Sequence, residues 1–242
     1  MNELSPAAGI QTLSYEAHST ARPFDRFRSA ISAGINSYVY PSGVNLFHQG
    51  EVPLEIFLVE TGLAKLVCSE ESGRELIVDI RFAGSLLGLS AVIRNESHPM
   101  TAITASPCRL MRISAEQFRG RLGQDTELGF SVHHLLSAEV INQAARISEI
   151  ACLTARQRLE KFIWQIAKQT KPEEPQSSKL QLPLRQWEVA QFLAITPAYL
   201  CKLLSELESE GIIVRRNGWI MVCALGNLWH RDSRTRSNSF IR

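Results

Sequence analysis

The sequence predicts an α+β fold in three parts: an N-terminal β-roll of the cupin-like jelly-roll kind, a long dimerisation helix and a C-terminal winged helix-turn-helix. Three observations carry that prediction. From Tyr40 to Ile113, short apolar runs alternate with turn glycines at Gly43, Gly50, Gly62, Gly73 and Gly84, the rhythm of a strand-and-turn barrel or roll. Further on, Leu136, Val140, Gln143, Ile147 and Ile150 advance in alternating four- and three-residue steps, a coiled-coil seam. Finally, AITPAYLCKLLSELESEGIIVRRNGW, from Ala194 to Trp219, begins on a helix cap and ends in a tight turn.

The chain as a whole bounds the reading. Its 242 residues suffice for two modest domains. Residues 1–150 hold 12 Lys+Arg against 16 Asp+Glu, a net of −4, whereas residues 151–242 hold 14 against 8, a net of +6. An acidic first part and a basic second part suit a sensor joined to a nucleic-acid reader. No run approaches the roughly 18 apolar residues of a membrane span. The opening MNELSPAAGIQTLSYEAHST lacks a basic stretch followed by an apolar one, so no signal peptide is expected and a cytoplasmic location is. Cys68, Cys108, Cys152, Cys201 and Cys223 lie far apart with no CxxC, which reads as free thiols in a reducing compartment. There is no P-loop, no G-x-S-x-G, no H-E-x-x-H and no convincing triad, so an enzyme is not expected.

Taken in order, residues 1–25 read as a flexible extension and 26–124 as the roll. GLAKLVCS and RELIVDI flank Glu70-Glu71-Ser72-Gly73 as a hairpin. TAITAS and CRLMRIS are expected to pair about a turn at Ser106-Pro107. Residues 125–151 form the seam helix. A lone buried helix is the alternative, but pairing with a twin is preferred, because a helix-turn-helix protein gains specificity from two half-sites. His133 and His134 point about 100° apart on that helix, so they read as interface or surface residues and no metal site is expected.

Residues 152–226 hold the winged helix-turn-helix. RQWEVAQFL, Arg185 to Leu193, is a short amphipathic helix with Val189, Phe192 and Leu193 inward. Thr196 is a good N-cap and Pro197 suits the first helical position. Leu200, Leu203, Leu204 and Leu207 make one face apolar, and Gly211 marks the C-cap. Ile212-Ile213-Val214 and Trp219-Ile220-Met221-Val222 then read as strands around a type I′ turn at Asn217-Gly218. In such a motif the second helix presents its N-terminal residues to the DNA major groove, which singles out Thr196, Pro197, Ala198, Tyr199 and Lys202. Arg185 and Gln186 open the first helix beside them, and Arg215 and Arg216 on the wing suit phosphate. A three-helix core fragment with no DNA role is the plainer alternative. A basic tail, 227–242, closes the chain with RDSRTRSNSFIR.

From about Tyr40 to Val222 this order resembles the Crp/Fnr family of bacterial transcription regulators. P-x-G-x-x-L-F-x-x-G-E at Pro41 to Glu51 and I-F-L-V-x-x-G at Ile56 to Gly62 look like the family's cyclic-nucleotide-binding β-roll. LTARQRLEKFIWQIA looks like its hinge and first DNA-domain helix, and Glu188 to Gly211 like its helix-turn-helix. The resemblance implies a homodimer on a palindromic double-stranded operator, and RNA polymerase as a further partner if the protein activates.

The departures are equally specific. In cyclic-AMP members, a glutamate after the glycine of the phosphate cassette bonds the ribose, and an arginine before Ser/Thr-Ala neutralises the phosphate. Here Leu89 and Met100 hold those places in LLGLSAVIRNESHPMTA. The corresponding pocket, lined by Leu86, Gly88, Leu89, Ser90, Met100, Thr101 and Ala102, is not expected to bind cyclic AMP. A buried phosphate without a cation partner costs several kcal/mol. Arg94 and His98 are possible substitutes, but both fall in an expected loop. The effector is unknown. An iron–sulfur cluster held by N-terminal cysteines does not fit a chain with none before Cys68. Haem on His48, His98, Cys68 or Cys108 lacks convincing spacing, so no cofactor is expected. A haem- or redox-dependent sensor of the same family is the alternative, and a non-DNA regulatory protein built on the roll is a further one. The family's best-known readers place Arg, Glu and Arg where this chain has Pro197, Ala198 and Lys202, which implies a different operator. Arg to guanine is the commonest base contact, while Ala198 suits a thymine methyl.

Overall fold

The computed structural model describes residues 27–29, 31, 35–169, 178–182, 184–216 and 219–223. The 1–25 extension, the Asn217-Gly218 turn and the basic tail lie outside them. The roll comprises β1 (Ser37–Tyr40), β2 (Asn45–Phe47), β3 (Glu55–Thr61), β4 (Ala64–Ser69), β5 (Glu75–Arg81), β6 (Leu86–Leu87), β7 (Thr101–Thr104) and β8 (Cys108–Ser114), with a short helix α1 (Leu89–Arg94) before β7. Two four-stranded antiparallel sheets result, in the orders β1-β8-β3-β6 and β2-β7-β4-β5. Phe57 and Val59 of β3 point between the sheets with Leu66, Ala102 and Leu110. Ile56 and Leu58 point to the other face, against Phe118, Leu128 and Phe27. Being covered on both faces is why β3 reads as an unbroken apolar run rather than an alternation.

The expected hairpin of β4 and β5 is present, Ser69 facing Glu75. The expected pairing of TAITAS with CRLMRIS is not. β7 pairs with β2 and β4, whereas β8 pairs with β1 and β3. The chain changes sheets at Ser106-Pro107. There the Pro107 carbonyl packs so tightly on Gly62 that a Cβ at Gly62 would stand 2.3 Å from it. A jelly roll keeps sequence neighbours in opposite sheets wherever the strand crosses over the core. The LLGLSAVIRNESHPMTA segment is also not all loop. Arg94 ends α1 and pairs with Glu96, while His98 lies in the loop that follows, as expected, and is buried.

Helix α2 (Ala115–Leu122) starts on Ser114, whose hydroxyl accepts from Gln117 N–H. Helix α3 (Thr126–Cys152) starts on Asp125, whose carboxylate accepts from Leu128 N–H at 3.0 Å. Its 27 residues span about 40 Å. Leu128 and Val132 at its start cover the roll. The rest exposes a second stripe.

The C-terminal part contains α4 (Ala155–Gln169), β9 (Ser178–Gln181), α5 (Gln186–Phe192), α6 (Pro197–Ser209), β10 (Ile213–Arg216) and β11 (Trp219–Val222). Its sheet has the order β10-β11-β9, so the wing gains a third strand that sequence reasoning did not foresee. Leu159, Phe162, Ile163 and Ile166 of α4 pack with Val189, Leu200, Leu203, Leu204 and Leu207, and Val67, Ile77 and Ile80 of the roll join the same core. No helix among the described residues is long and apolar enough to cross a membrane.

Candidate nucleic-acid interface

Helix α5 is fastened at its start, where Arg185 N–H donates to Glu188 Oε2 at 2.7 Å. Its end leads into a turn in which Ala194 takes a left-handed φ of 53°. Ile195 N–H reaches back to the Ala190 carbonyl at 3.0 Å. Thr196 then caps α6 as expected, its hydroxyl accepting from Tyr199 N–H at 3.2 Å, with Pro197 next. At the far end, Ile212 N–H bonds the Leu207 carbonyl and Gly211 N–H the Glu208 carbonyl, with Gly211 at φ 70°. These two bonds are a Schellman closure, and they aim the chain into β10.

Burial divides α6 cleanly. Leu200, Leu203, Leu204 and Leu207 are buried, each side chain contributing about 1.5–3 kcal/mol to holding the helix in place. Thr196, Pro197, Ala198, Tyr199 and Lys202 all face solvent, as do Arg185 and Gln186. Lys202 is tied only loosely, its Nζ 3.9 Å from Glu206 Oε1. Cys201 belongs to the same surface, its Sγ 3.7 Å from Gln186 Oε1, and so does half-exposed Trp187. Sequence reasoning assigned neither to this surface, although the helical period would have placed Cys201 one turn after Pro197 and Ala198.

The two wing arginines part company. Arg216 is exposed at the strand end. Arg215 is used within the domain: its backbone N–H and its Nε each donate to Glu208 at 2.9 Å, and its guanidinium reaches Ser205 Oγ at 3.0 Å. Its position therefore differs from the expected phosphate contact. It pins β10 to α6, and the same pair holds the Glu208 carboxyl below the usual carboxylate range.

The reading unit is also joined to the roll. Lys65 of β4 pairs with Glu188 of α5, both largely buried. The Gln191 amide lies along the open edge of β5, accepting from Ile77 N–H at 3.0 Å and donating to the Glu75 carbonyl at 2.7 Å. An edge strand offers just such unpaired groups.

The expected effector pocket is occupied by the chain's own side chains. The His98 ring stacks on Phe47 with centroids 3.8 Å apart, and its Cε1 lies 3.1 Å from where a Cβ on Gly88 would stand. Met100 packs on the roll interior, and Thr101 Oγ1 accepts from Gln49 N–H at 3.0 Å. Ser90 is exposed, while Ala102 is buried. Leu86 and Leu89 instead line a cavity of about 270 Å³ outside the roll, between it, α3 and α4. Burial holds the His98 imidazole below its ordinary pKa, opposed in part by Glu51. Among the haem candidates, His48 is exposed and bonded to Asn45, and the Cys108 thiol donates to the Leu63 carbonyl at 3.1 Å. Cys68 is half-buried. No group of three or more His, Cys, Asp or Glu able to hold a metal occurs among the described residues.

Along α3 the expected seam splits. Val140 and Ile147 are each 69% exposed. Ile150 is less so, Leu136 packs towards the roll, and Gln143 turns inward to donate to Asp79 at 3.0 Å. The solvent-facing line is Phe130, His133, Ser137, Val140, Ala144, Ile147 and Ala151, also in alternating three- and four-residue steps. Both lines share Val140 and Ile147, and only the packing of α3 on the roll chooses between them.

Two domain families match the chain: the cyclic nucleotide-binding domain over residues 38–125 and the Crp-like helix-turn-helix domain over residues 157–231. The anaerobic regulatory protein of Pasteurella multocida is 22% identical over 193 residues, covering 80% of this chain and 70% of its own. The cAMP-activated global transcriptional regulator CRP of the same organism is 23% identical over 185 residues, 76% of this chain and 88% of its own. In fold, the chain matches FixK2 from Bradyrhizobium japonicum with a TM-score of 0.68 at 16% identity, over 80% of this chain and 95% of that one. A sensory-domain match followed by a helix-turn-helix match, in the order in which the two parts occur here, places this chain in the Crp/Fnr family of transcription regulators.

Proposed function

We propose that the protein regulates transcription as a homodimer, each protomer reading one half of a palindromic operator with the exposed start of α6. The observation that carries this reading is the division of α6 into a buried leucine face and a solvent-facing row of Thr196, Pro197, Ala198, Tyr199 and Lys202. Ala198 and the Thr196 methyl suit thymine methyls, and Lys202 suits guanine. Arg185, Gln186 and Arg216 meet phosphate. The exposed line from Phe130 to Ala151 pairs with its twin and sets the half-site spacing. A location in the cytoplasm, and contact with RNA polymerase where the protein activates, follow from this role.

Cyclic AMP is not the effector in this reading. Leu89 and Met100 offer neither ribose nor phosphate a partner, and the His98–Phe47 stack fills the cradle beside Gly88. Selection of operators from random duplexes, followed by binding titrations at several salt concentrations, tests the proposal. A preferred palindrome and a steep fall of affinity with salt are expected. Binding without sequence preference, or cyclic AMP raising operator affinity at micromolar concentration, would overturn it.

A further inference from the structure

Two arginines meet at the junction of roll, α3 and DNA-binding domain, with Asp79, Glu139 and Glu149 lining the same cavity. Arg146 of α3 donates to the Phe192 carbonyl and lies over the Phe192 ring, 3.9 Å from its centroid. Arg158 of α4 donates to the Leu193 carbonyl at 2.9 Å and the Leu153 carbonyl at 2.7 Å. Neighbouring carboxylates are already engaged: Glu149 pairs with Lys161, and Asp79 with Arg81. Both arginines line the cavity of about 270 Å³. Leu86 and Leu89 of the roll form its apolar end, Ala138 lies on its α3 wall, and Trp164 lies on α4. Burial disfavours the charge on Arg146, Glu149 and Asp79 offset this in part, and the Arg158 charge adds a smaller repulsion. An anion entering the open space beside them adds a partner to both guanidinium charges, since Glu149 and Asp79 are shared with Lys161 and Arg81.

We propose that this junction cavity binds a small organic anion, its carboxylate or phosphate head between Arg146 and Arg158 and its apolar body against Leu86, Leu89 and Trp164. Guanidinium presents a planar fork of donors matched to either head. The volume is close to the lower end of small-molecule sites, about 300 Å³. The cassette's Leu89 thereby gains a use: an apolar side chain suits the body of such a ligand where a glutamate would repel its charge. Because the ligand touches roll, α3 and α4 together, its binding free energy is linked to their arrangement. Operator affinity must then respond reciprocally. This last step alone rests on the DNA-binding reading.

Fluorescence titration of the full chain with 8-anilinonaphthalene-1-sulfonate, an anion on an aromatic body, tests the site. Octanoate and phenyl phosphate compete in separate arms, and octylamine serves as the cationic control. Saturable binding is expected, displaced by at least one of the two anions and not by octylamine; whichever competes better identifies the head. Arg158→Gln is expected to weaken probe binding at least tenfold. Ala138→Trp, which keeps both arginines and fills the cavity, is expected to abolish it while circular dichroism and Tm stay near wild type. Undiminished binding in a folded Ala138→Trp protein, equal competition by octylamine, or competition by neither anion would each overturn the site. A saturating competitor is expected to change operator affinity at least threefold. An unchanged affinity in a protein that binds both operator and anion refutes the coupling, whereas absence of operator binding refutes the DNA reading and leaves the fluorescence result standing.

Discussion

Lys202 and Arg215 are both cations of the reading domain, yet their surroundings give them different work. Lys202 stands free enough to reach a base, with only a 3.9 Å contact to Glu206. Arg215 is bound to Glu208 and Ser205. Lys202→Ala is expected to cost about 1–3 kcal/mol at the preferred operator and to relax one position of each half-site, read by repeating the operator selection. An unchanged preferred site would show that Lys202 reads no base. His98 supports a second prediction at this scale. Its Nδ1 is buried with no hydrogen-bond partner, and burial depresses its pKa in the fold, with Glu51 opposing. The unfolded chain therefore binds this proton more readily than the folded one. The stability involved is complete above the ordinary histidine value near 6.5 and is lost as pH falls below it. Denaturant unfolding between pH 8 and 5 is expected to show a loss at the acid end that His98→Phe lessens; parallel curves for the two proteins would refute it. His98 does lie in a loop, as its sequence predicts, but its burial was not legible there, because nothing near it in the chain announces Phe47, its stacking partner from a distant strand.

At the scale of elements, α3 shows how much of a helix its own residues decide. The Asp125 cap and the apolar periodicity both lie in the sequence, and the helix forms where they say. The periodicity admitted two heptad lines. Packing of Leu128 and Val132 on the roll, and the bond from Gln143 to Asp79, turn Leu136 and Gln143 inward and leave the line from Phe130 to Ala151 in solvent. Val140→Glu with Ile147→Glu places like charges in the outward line. Sedimentation is expected to show a monomer with operator affinity reduced by two orders of magnitude or more. A dimer that persists would place the pairing surface elsewhere. The wing makes the same point at smaller size: its two foreseen strands pair from Ile213↔Val222 to Arg216↔Trp219, and β9 adds to β11 from a segment far from it in the chain.

Across the whole molecule, roll and DNA-binding domain share one apolar core and two polar ties, Lys65 with Glu188 and Gln191 with the edge of β5. Such joining makes the two parts unfold together. Calorimetry of the wild-type protein is expected to give one transition. Lys65→Met with Gln191→Ala leaves a buried carboxylate without its cation and a strand edge without its cover, at a cost of roughly 3 kcal/mol. Two separated transitions are expected in that variant. A single transition at unchanged temperature would mean that the ties contribute nothing to the coupling.

Chemistry confined to a few neighbouring residues was legible in the sequence alone: the Thr196 cap with Pro197, the Gly211 closure, the β4–β5 hairpin, the leucine face of α6. Each depends on bonds or contacts within one or two turns, so the residue types and their spacing suffice. What the tertiary structure decided involves partners far apart in the chain. It assigned β7 and β8 to different sheets, turned Gln143 inward, stacked His98 on Phe47, bound Arg215 to Glu208, and set Arg146 beside Arg158 at a cavity. The physical reason is the same in each case. A side chain's periodicity says that it has a face, but which neighbour covers that face depends on how whole elements stack, and the stacking is settled by all the buried contacts at once.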